Sequence, residues 1–416
     1  MVRLILPAVL AMVLLAATRI AAEPAKTSPV QDTDETVYQQ RFERLFTAFR
    51  TGIGVDLYEP LEALGGARDY RPLPVQPNLS IPQRTLSAAR DYARLNNSTA
   101  LLIWHDGALI ESAYFKGADA AALLPSRSLS KPMTAVAVGR ALALGYLDSL
   151  DQAVADFIVE WRGDARRAQI TVRHLLDMRA GFLPQATTTD PAHILNRAYL
   201  HPRHEELIIR EYPVVDEPGS RYEYNNASSE LVAVVIERAT GRRYAEFVST
   251  EVLEPLGAAG GSVWLNREGG TAHSGCCMLL PAESWLRVAL LLLDDGRWQG
   301  RELLPPGYVA EMKRGTLQNP YYGLGIYVAG DYTRRRGFAH PEREDESRKV
   351  LHSEPYLADD VFLFDGNANQ VAFIIPSERL VVLRMGDNPP RGPEGEWDNS
   401  FLPNLLLRAI QGQSSP

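Results

Sequence analysis

The sequence predicts an α+β fold in which one antiparallel sheet is built from both chain ends and a mainly helical lobe is inserted between them. Three observations predict it. Two apolar runs flank Asp106-Gly107 in "ALLIWHDGALIESAYF", a strong hairpin signal. Short β-rich segments return only from Tyr321 onward, in "YYGLGIYVAG", "DDVFLFDG", "QVAFIIP" and "RLVVLRMG". Between these two groups the apolar residues recur with helical spacing, as in "LDQAVADFIVEW", "TVRHLLDM", "SSELVAVVIERATG" and "AESWLRVALLLLDDG".

Taken in order, residues 1–22 have the layout of a secretory signal peptide. Arg3 is followed by an apolar run from Leu4 to Ala17 and small residues up to Ala22. Fourteen apolar residues broken by Pro7 are short for a bilayer span, so an uncleaved anchor is the lesser alternative to cleavage after Ala22. The expectation is export to the periplasm or medium. Residues 23–82 turn proline-rich in "YRPLPVQPNLSIPQ" and read as an extended arm on the body. Residues 83–146 and 321–416 form the expected α/β lobe, opening with a helix at "TLSAARDYARLN" and closing with one at "FLPNLLLRAIQ". Residues 147–320 form the expected helical lobe. The alternating charges of "RRRGFAHPEREDESRK" read as a solvated loop.

Composition narrows the function. A net charge of −8 on 416 residues is no nucleic-acid footprint, and it leaves the handling of a small-molecule substrate open. The only cysteines, Cys276 and Cys277, are neighbours, which rarely bond to each other, and packing is the expected role. No metal or cofactor is expected: "HPRHEE" (His201–Glu206) lacks the spacing of a zinc-protease helix, and no lysine follows a phosphate-cradling glycine run. A Gly-x-Ser-x-Gly elbow is also missing.

The chemistry concentrates in "SRSLSKPMTAVAVGRALALGYL", Ser126 to Leu147. Only five of the 43 Lys and Arg residues are lysines, and one of them, Lys131, follows Ser128 by three positions. Residues at i and i+3 share a helix face, so hydroxyl and amine can lie side by side. Pro132 is tolerated in a first turn, which places the helix start here. A serine needs a neighbouring base to become a nucleophile; an amine can shed its proton when buried, whereas a guanidinium cannot.

From these residues onward the chain resembles the serine β-lactamase and penicillin-binding protein superfamily, in particular its class C-like branch of esterases, D-aminopeptidases and 6-aminohexanoate-dimer hydrolases. The likeness runs in family order through "SLSK", "ITVRHLLDMRAGF", "PGSRYEYNNASSELVAVVIERATGRRYAEFVSTEVLEPLG" and "GCCMLLPAESWLRVALLLLDDGRWQG". It implies a β-lactamase/transpeptidase-like fold and an acyl-enzyme on Ser128, with Lys131 as base. The Tyr-x-Asn motif falls on Tyr224 and Asn226, and implies proton exchange by Tyr224 and positioning of substrate and Lys131 by Asn226. Without the resemblance, "EYNNASSEL" is a loop and helix cap, with Asn225, Asn226 or Ser228 as capping candidates.

The third motif departs from the pattern. The superfamily has Lys or His, a small residue and Gly, or Gly-x-x-Gly-Gln in this branch; here "DGNANQ" puts Asn367 at the cationic position and Asn369 at a glycine. Asn369 must then accept a conformation that glycine provides, which asparagine does better than most residues. The resemblance also implies an oxyanion hole from the backbone N–H groups of Ser128 and Gln370. The function expected is hydrolysis of a small ester or amide. The alternatives are a β-lactamase or D-alanyl-D-alanine carboxypeptidase, which the missing cation disfavours, and a non-catalytic module that binds cell-wall peptide. Oligomeric state is not legible.

Overall fold

The computed structural model describes residues 29–51, 59–77, 80–185, 188–337, 339–341, 344–345, 349–391 and 395–412. The expected signal peptide, residues 1–22, lies outside them.

A six-stranded antiparallel sheet forms the frame. Its strand order is Ala108–Tyr114, Ser98–His105, Leu380–Gly386, Gln370–Ile375, Phe362–Gly366 and Tyr327–Val328, so the two chain ends meet where Ser98–His105 pairs with Leu380–Gly386. The first two strands are joined by Asp106 (φ 43°) and Gly107 (φ 93°), the two left-handed residues that a tight hairpin of this hand requires.

Strand alternation separates two cores. Ala100, Leu102, Ile374, Val381 and Leu383 face one side, buried with Val136, Leu286 and Leu290. Leu101, Ile103, Val371, Phe373 and Val382 face the other, buried with Leu86 and Ala89 of helix Gln83–Leu95 and with Leu402 and Leu406 of helix Phe401–Ile410.

Three expectations need correction. The arm is not extended throughout: Pro29–Thr51 is a helix, because Tyr38, Phe42 and Leu45 recur with helical spacing and pack on Leu200, Trp264, Cys276 and Cys277. Leu61–Leu64 is a strand, pairing with Gly261–Trp264 in a second sheet completed by Met278–Leu280 and Leu124–Pro125. Helix Ala282–Leu293, assigned by sequence order to the helical lobe, packs instead on the six-stranded sheet and is buried along its whole length. Its Glu283 and Arg287 stay inside by pairing at 2.8 Å one turn apart.

The third correction concerns Cys276 and Cys277, which are bonded to each other. The left-handed backbone at Cys277 (φ 72°) turns its side chain back toward its neighbour. The pair is buried, with the Tyr199 hydroxyl 3.4 Å from the Cys276 sulfur. Among the described residues no helix is long and apolar enough to cross a membrane.

Candidate active site

Ser128 sits in a single 3-10 turn, Arg127–Ser130, that runs directly into helix Lys131–Ala143 with Pro132 in its first turn. The α-helix therefore starts three residues later than the expected start near Ser128, yet the i,i+3 relationship survives the tighter winding of the turn. Arg127, just before the serine, has φ 52°, a left-handed backbone costly for a residue with a side chain. The turn is held from outside: the Ser126 N–H donates to Met278 O at 2.8 Å, and the Met278 N–H donates back to Ser126 Oγ at 3.2 Å.

Lys131 is 2% exposed. Its Nζ lies 3.2 Å from Ser128 Oγ, 2.9 Å from Asn226 Oδ1 and 2.8 Å from Gly275 O. These three atoms come from three segments, so the amine is the point where the Ser128 turn, helix Asn226–Thr240 and the 273–278 stretch meet. Tyr224 presents its ring to the same nitrogen, centroid 4.8 Å from Nζ, and packs edge-on against Tyr322. The helix behind them is capped by Asn225, whose Oδ1 accepts from the Ala227 N–H at 2.7 Å. That leaves the Asn226 side chain free to face Lys131.

The third motif closes the site from the sheet. Strand Phe362–Gly366 approaches the Ser128 turn so closely that a Cβ at Gly366 would stand 2.7 Å from Leu129 N and 3.2 Å from Ser128 N. Gln370 opposes Gly366 in the ladder, and its side chain clamps the Gly386 backbone, accepting from the Gly386 N–H at 2.9 Å. Asn369 takes the left-handed conformation expected of it, φ 56°, and Ala368 takes one too, φ 65°. Asn367 Oδ1 accepts from the Ala368 N–H at 2.9 Å, folding its side chain onto its own turn. A pocket of about 250 Å³ opens over this turn, lined by Ser128, Tyr224, Asp365, Asn367, Asn369 and Arg391 among others.

Sequence reasoning missed two features. Arg384, fully buried, fixes the turn: its Nη1 donates to Ala368 O at 2.6 Å and Asn369 O at 3.0 Å, and its Nη2 to Asn96 O and Asp387 O at 2.7 Å each. An arginine inside the apolar strand run "RLVVLRMG" was the available signal. The second feature is a buried cluster of His204, Glu230 and His273 behind Gly275. Glu230 Oε2 lies 3.7 Å from His204 Nε2 and 3.5 Å from His273 Nδ1, and one ligand atom from each residue falls within 4.8 Å of the others.

None of the cluster's imidazole nitrogens has a hydrogen-bond partner among the described residues. Burial pushes the Glu230 carboxyl up to about 7, against the opposing pull of His204 and Lys131, and pushes both histidines well below their usual value. All three are thereby favoured in their neutral forms. The two imidazole rings stack, centroids 4.2 Å apart and planes 15° apart. Their in-plane lone pairs do not converge on one point, so an ion held by both nitrogens requires one ring to turn.

With this geometry in view, the likenesses to known proteins fall into place. The Beta-lactamase family model matches residues 83–399. A 6-aminohexanoate-dimer hydrolase of Paenarthrobacter ureafaciens is 25% identical over 244 residues, 55% of this chain and 60% of that protein, so the chain spans less than two thirds of that relative. Among solved structures, a Bacillus anthracis protein provisionally named a 6-aminohexanoate-dimer hydrolase superposes with a TM-score of 0.65 at 18% identity, covering 86% of this chain and 93% of that one. EstCE1, a hydrolase with promiscuous acyltransferase activity, gives 0.55 at 18% identity, covering 79% and 97%. The match over residues 83–399 spans most of the chain and takes in the Ser128 turn, the Tyr224 segment and the third-motif strand: the chain belongs to the Beta-lactamase family.

Proposed function

We propose that this protein is a serine hydrolase that forms an acyl-enzyme on Ser128 and hydrolyses a small ester or amide. One observation carries the reading. Of the three atoms around Lys131 Nζ, Asn226 Oδ1 and Gly275 O can only accept, whereas Ser128 Oγ can also donate. A neutral amine has two N–H groups and one lone pair. In the neutral form that the cycle requires, the two acceptors take the N–H groups and the lone pair faces the serine hydroxyl, whereas an ammonium would donate to all three atoms.

In the proposed cycle Lys131 takes the Ser128 proton as Oγ attacks the substrate carbonyl, and the resulting oxyanion accepts from the backbone N–H groups of Ser128 and Gln370. Lys131, directly or through the Tyr224 phenol, returns the proton to the leaving alcohol or amine as the carbon–heteroatom bond breaks. Water then attacks the acyl-enzyme, gives a proton to the same base, and Ser128 leaves with it. Each oxyanion donor is worth about 3 kcal/mol in such sites. The narrow contact at Gly366 and the Arg384 anchor hold the strand that supplies one of them.

The third motif offers Asn367 in place of a cation, although Arg391 lines the same pocket, so an ester or small amide stands first as substrate and a β-lactam second. Turnover of p-nitrophenyl butyrate, nitrocefin and 6-aminohexanoate dimer on one purified sample tests this. Ester or dimer hydrolysis that is lost in Ser128→Ala supports the reading; nitrocefin as the only substrate contradicts it.

A further inference from the structure

We propose that Glu230 is a positioning residue for Lys131: seated behind Gly275 between His204 and His273, it sets how readily the amine gives up its proton. The kinetic consequence rests on the function proposed above, whereas the coupling of the two side chains does not. Asn226 and Glu230 stand one turn apart on helix Asn226–Thr240, so the helix face that gives Lys131 its amide oxygen also carries a carboxyl.

Gly275 links the two groups. Its carbonyl accepts from Lys131 Nζ at 2.8 Å, and a Cβ on it would stand 3.2 Å from Glu230 Oε1 and 2.5 Å from Ser229 Cβ. A residue without a side chain is what lets the carboxyl come so near the peptide that holds the amine. The N–H groups of Ser274 and Gly275 draw the carboxyl down without closing to a full hydrogen bond, and Glu230 is only 1% exposed.

Other charges also face this carboxyl. His204 Nε2 and His273 Nδ1 lie 3.7 and 3.5 Å from Oε2, Lys131 attracts it, and the Tyr244 phenol, kept protonated by burial, feels its charge. Arg41 and Arg267 act on the histidines, and Glu205 Oε2 stands 3.9 Å from His204 Nδ1. The attraction between Glu230 and Lys131 is reciprocal. An ionised Glu230 favours the ammonium, which cannot accept the serine proton. A protonated Glu230 leaves the amine with no anion behind it, and burial favours that state.

Nuclear magnetic resonance of the full chain labelled with [13C]lysine tests the coupling without turnover. The chain has five lysines, and Lys131→Arg assigns the resonance that belongs to position 131. Titration from pH 5 to 10 should place the Lys131 midpoint lower in Glu230→Gln than in the wild type, by roughly half a unit or more. Glu230→Met, neutral and of similar length, should move it the same way, and thermal melting shows which variants are folded. Coincident titration curves in the wild type and a folded neutral variant overturn the proposal.

A kinetic arm separates this inference from the proposed function. The rising limb of the pH–rate profile for p-nitrophenyl butyrate should follow the Lys131 midpoint to lower pH in Glu230→Gln. A midpoint that moves while Ser128 takes no acyl group in either protein supports the coupling and refutes the hydrolase. Acylation of Ser128 with an unmoved midpoint overturns the coupling and leaves the hydrolase intact.

Discussion

Lys131 Nζ stands 3.2 Å from Ser128 Oγ, and the Asn226 amide oxygen, 2.9 Å away on the other side, fixes which way the amine faces. A carboxylate in that position would favour the ammonium, which cannot accept the serine proton. Asn226→Asp should therefore lower kcat at pH 7 by at least tenfold and move the rising limb of the pH–rate profile to higher pH. Lys131→Arg, which keeps the charge but cannot release a proton, should lose at least a thousandfold at every pH. Steady-state rates between pH 6 and 10 check both.

At Gly366 the sheet comes close to the Ser128 turn. A methyl group there would meet Leu129 N at 2.7 Å and Ser128 N at 3.2 Å, and backbone atoms cannot step aside as a flexible side chain can. Gly366→Ala should cut kcat by a hundredfold or more while the protein remains folded, because the strand that carries Gln370 is pushed off the turn. Far-UV circular dichroism beside turnover distinguishes this from simple unfolding.

Ala368, at φ 65°, holds a conformation that disfavours any side chain. Ala368→Gly should raise unfolding free energy by about 0.5–1 kcal/mol, the reverse of the usual effect of glycine, since relief of strain outweighs the added freedom of the unfolded chain. Urea denaturation gives the sign. Arg384→Met should do the opposite and slow catalysis as well, because Ala368 O and Asn369 O lose their shared donor.

The Glu230 cluster makes a pH prediction. A carboxyl whose folded value is raised from 4.5 to about 7 binds more protons folded than unfolded, so its contribution to stability is complete at low pH and is lost as pH rises from about 4.5 through 7. Glu230→Gln should flatten that decline by on the order of 3 kcal/mol. Asp365 acts in the same direction. His204 and His273, both lowered by burial, act oppositely and destabilise the fold as pH falls below their unfolded value of 6.5. Stability measured from pH 4 to 8 in wild type, Glu230→Gln and His273→Gln resolves the two limbs.

What was legible in the sequence was local. The Asp106-Gly107 hairpin, the β-rich runs after Tyr321, the Ser128–Lys131 spacing and the left-handed Asn369 each depend on a few adjacent residues. What escaped depends on distant contacts. Arg384 meets Asn96 and the third-motif turn only once both chain ends share a sheet, and His204, Glu230 and His273 lie on three separate segments. The helix at Pro29–Thr51 was hidden because its apolar spacing sits in a polar stretch and is completed by Leu200 and Trp264. Helix Ala282–Leu293 reads the same whether it packs on helices or on a sheet.

The claim on which the rest depends is that Ser128 becomes acylated through the amine of Lys131. Peptide mapping by mass spectrometry after rapid quenching of a reaction with p-nitrophenyl butyrate tests it most directly. The account predicts a butyryl adduct on the peptide bearing Ser128 in the wild type and its loss in Lys131→Arg; an adduct elsewhere, or one that forms equally fast in Lys131→Arg, would contradict it.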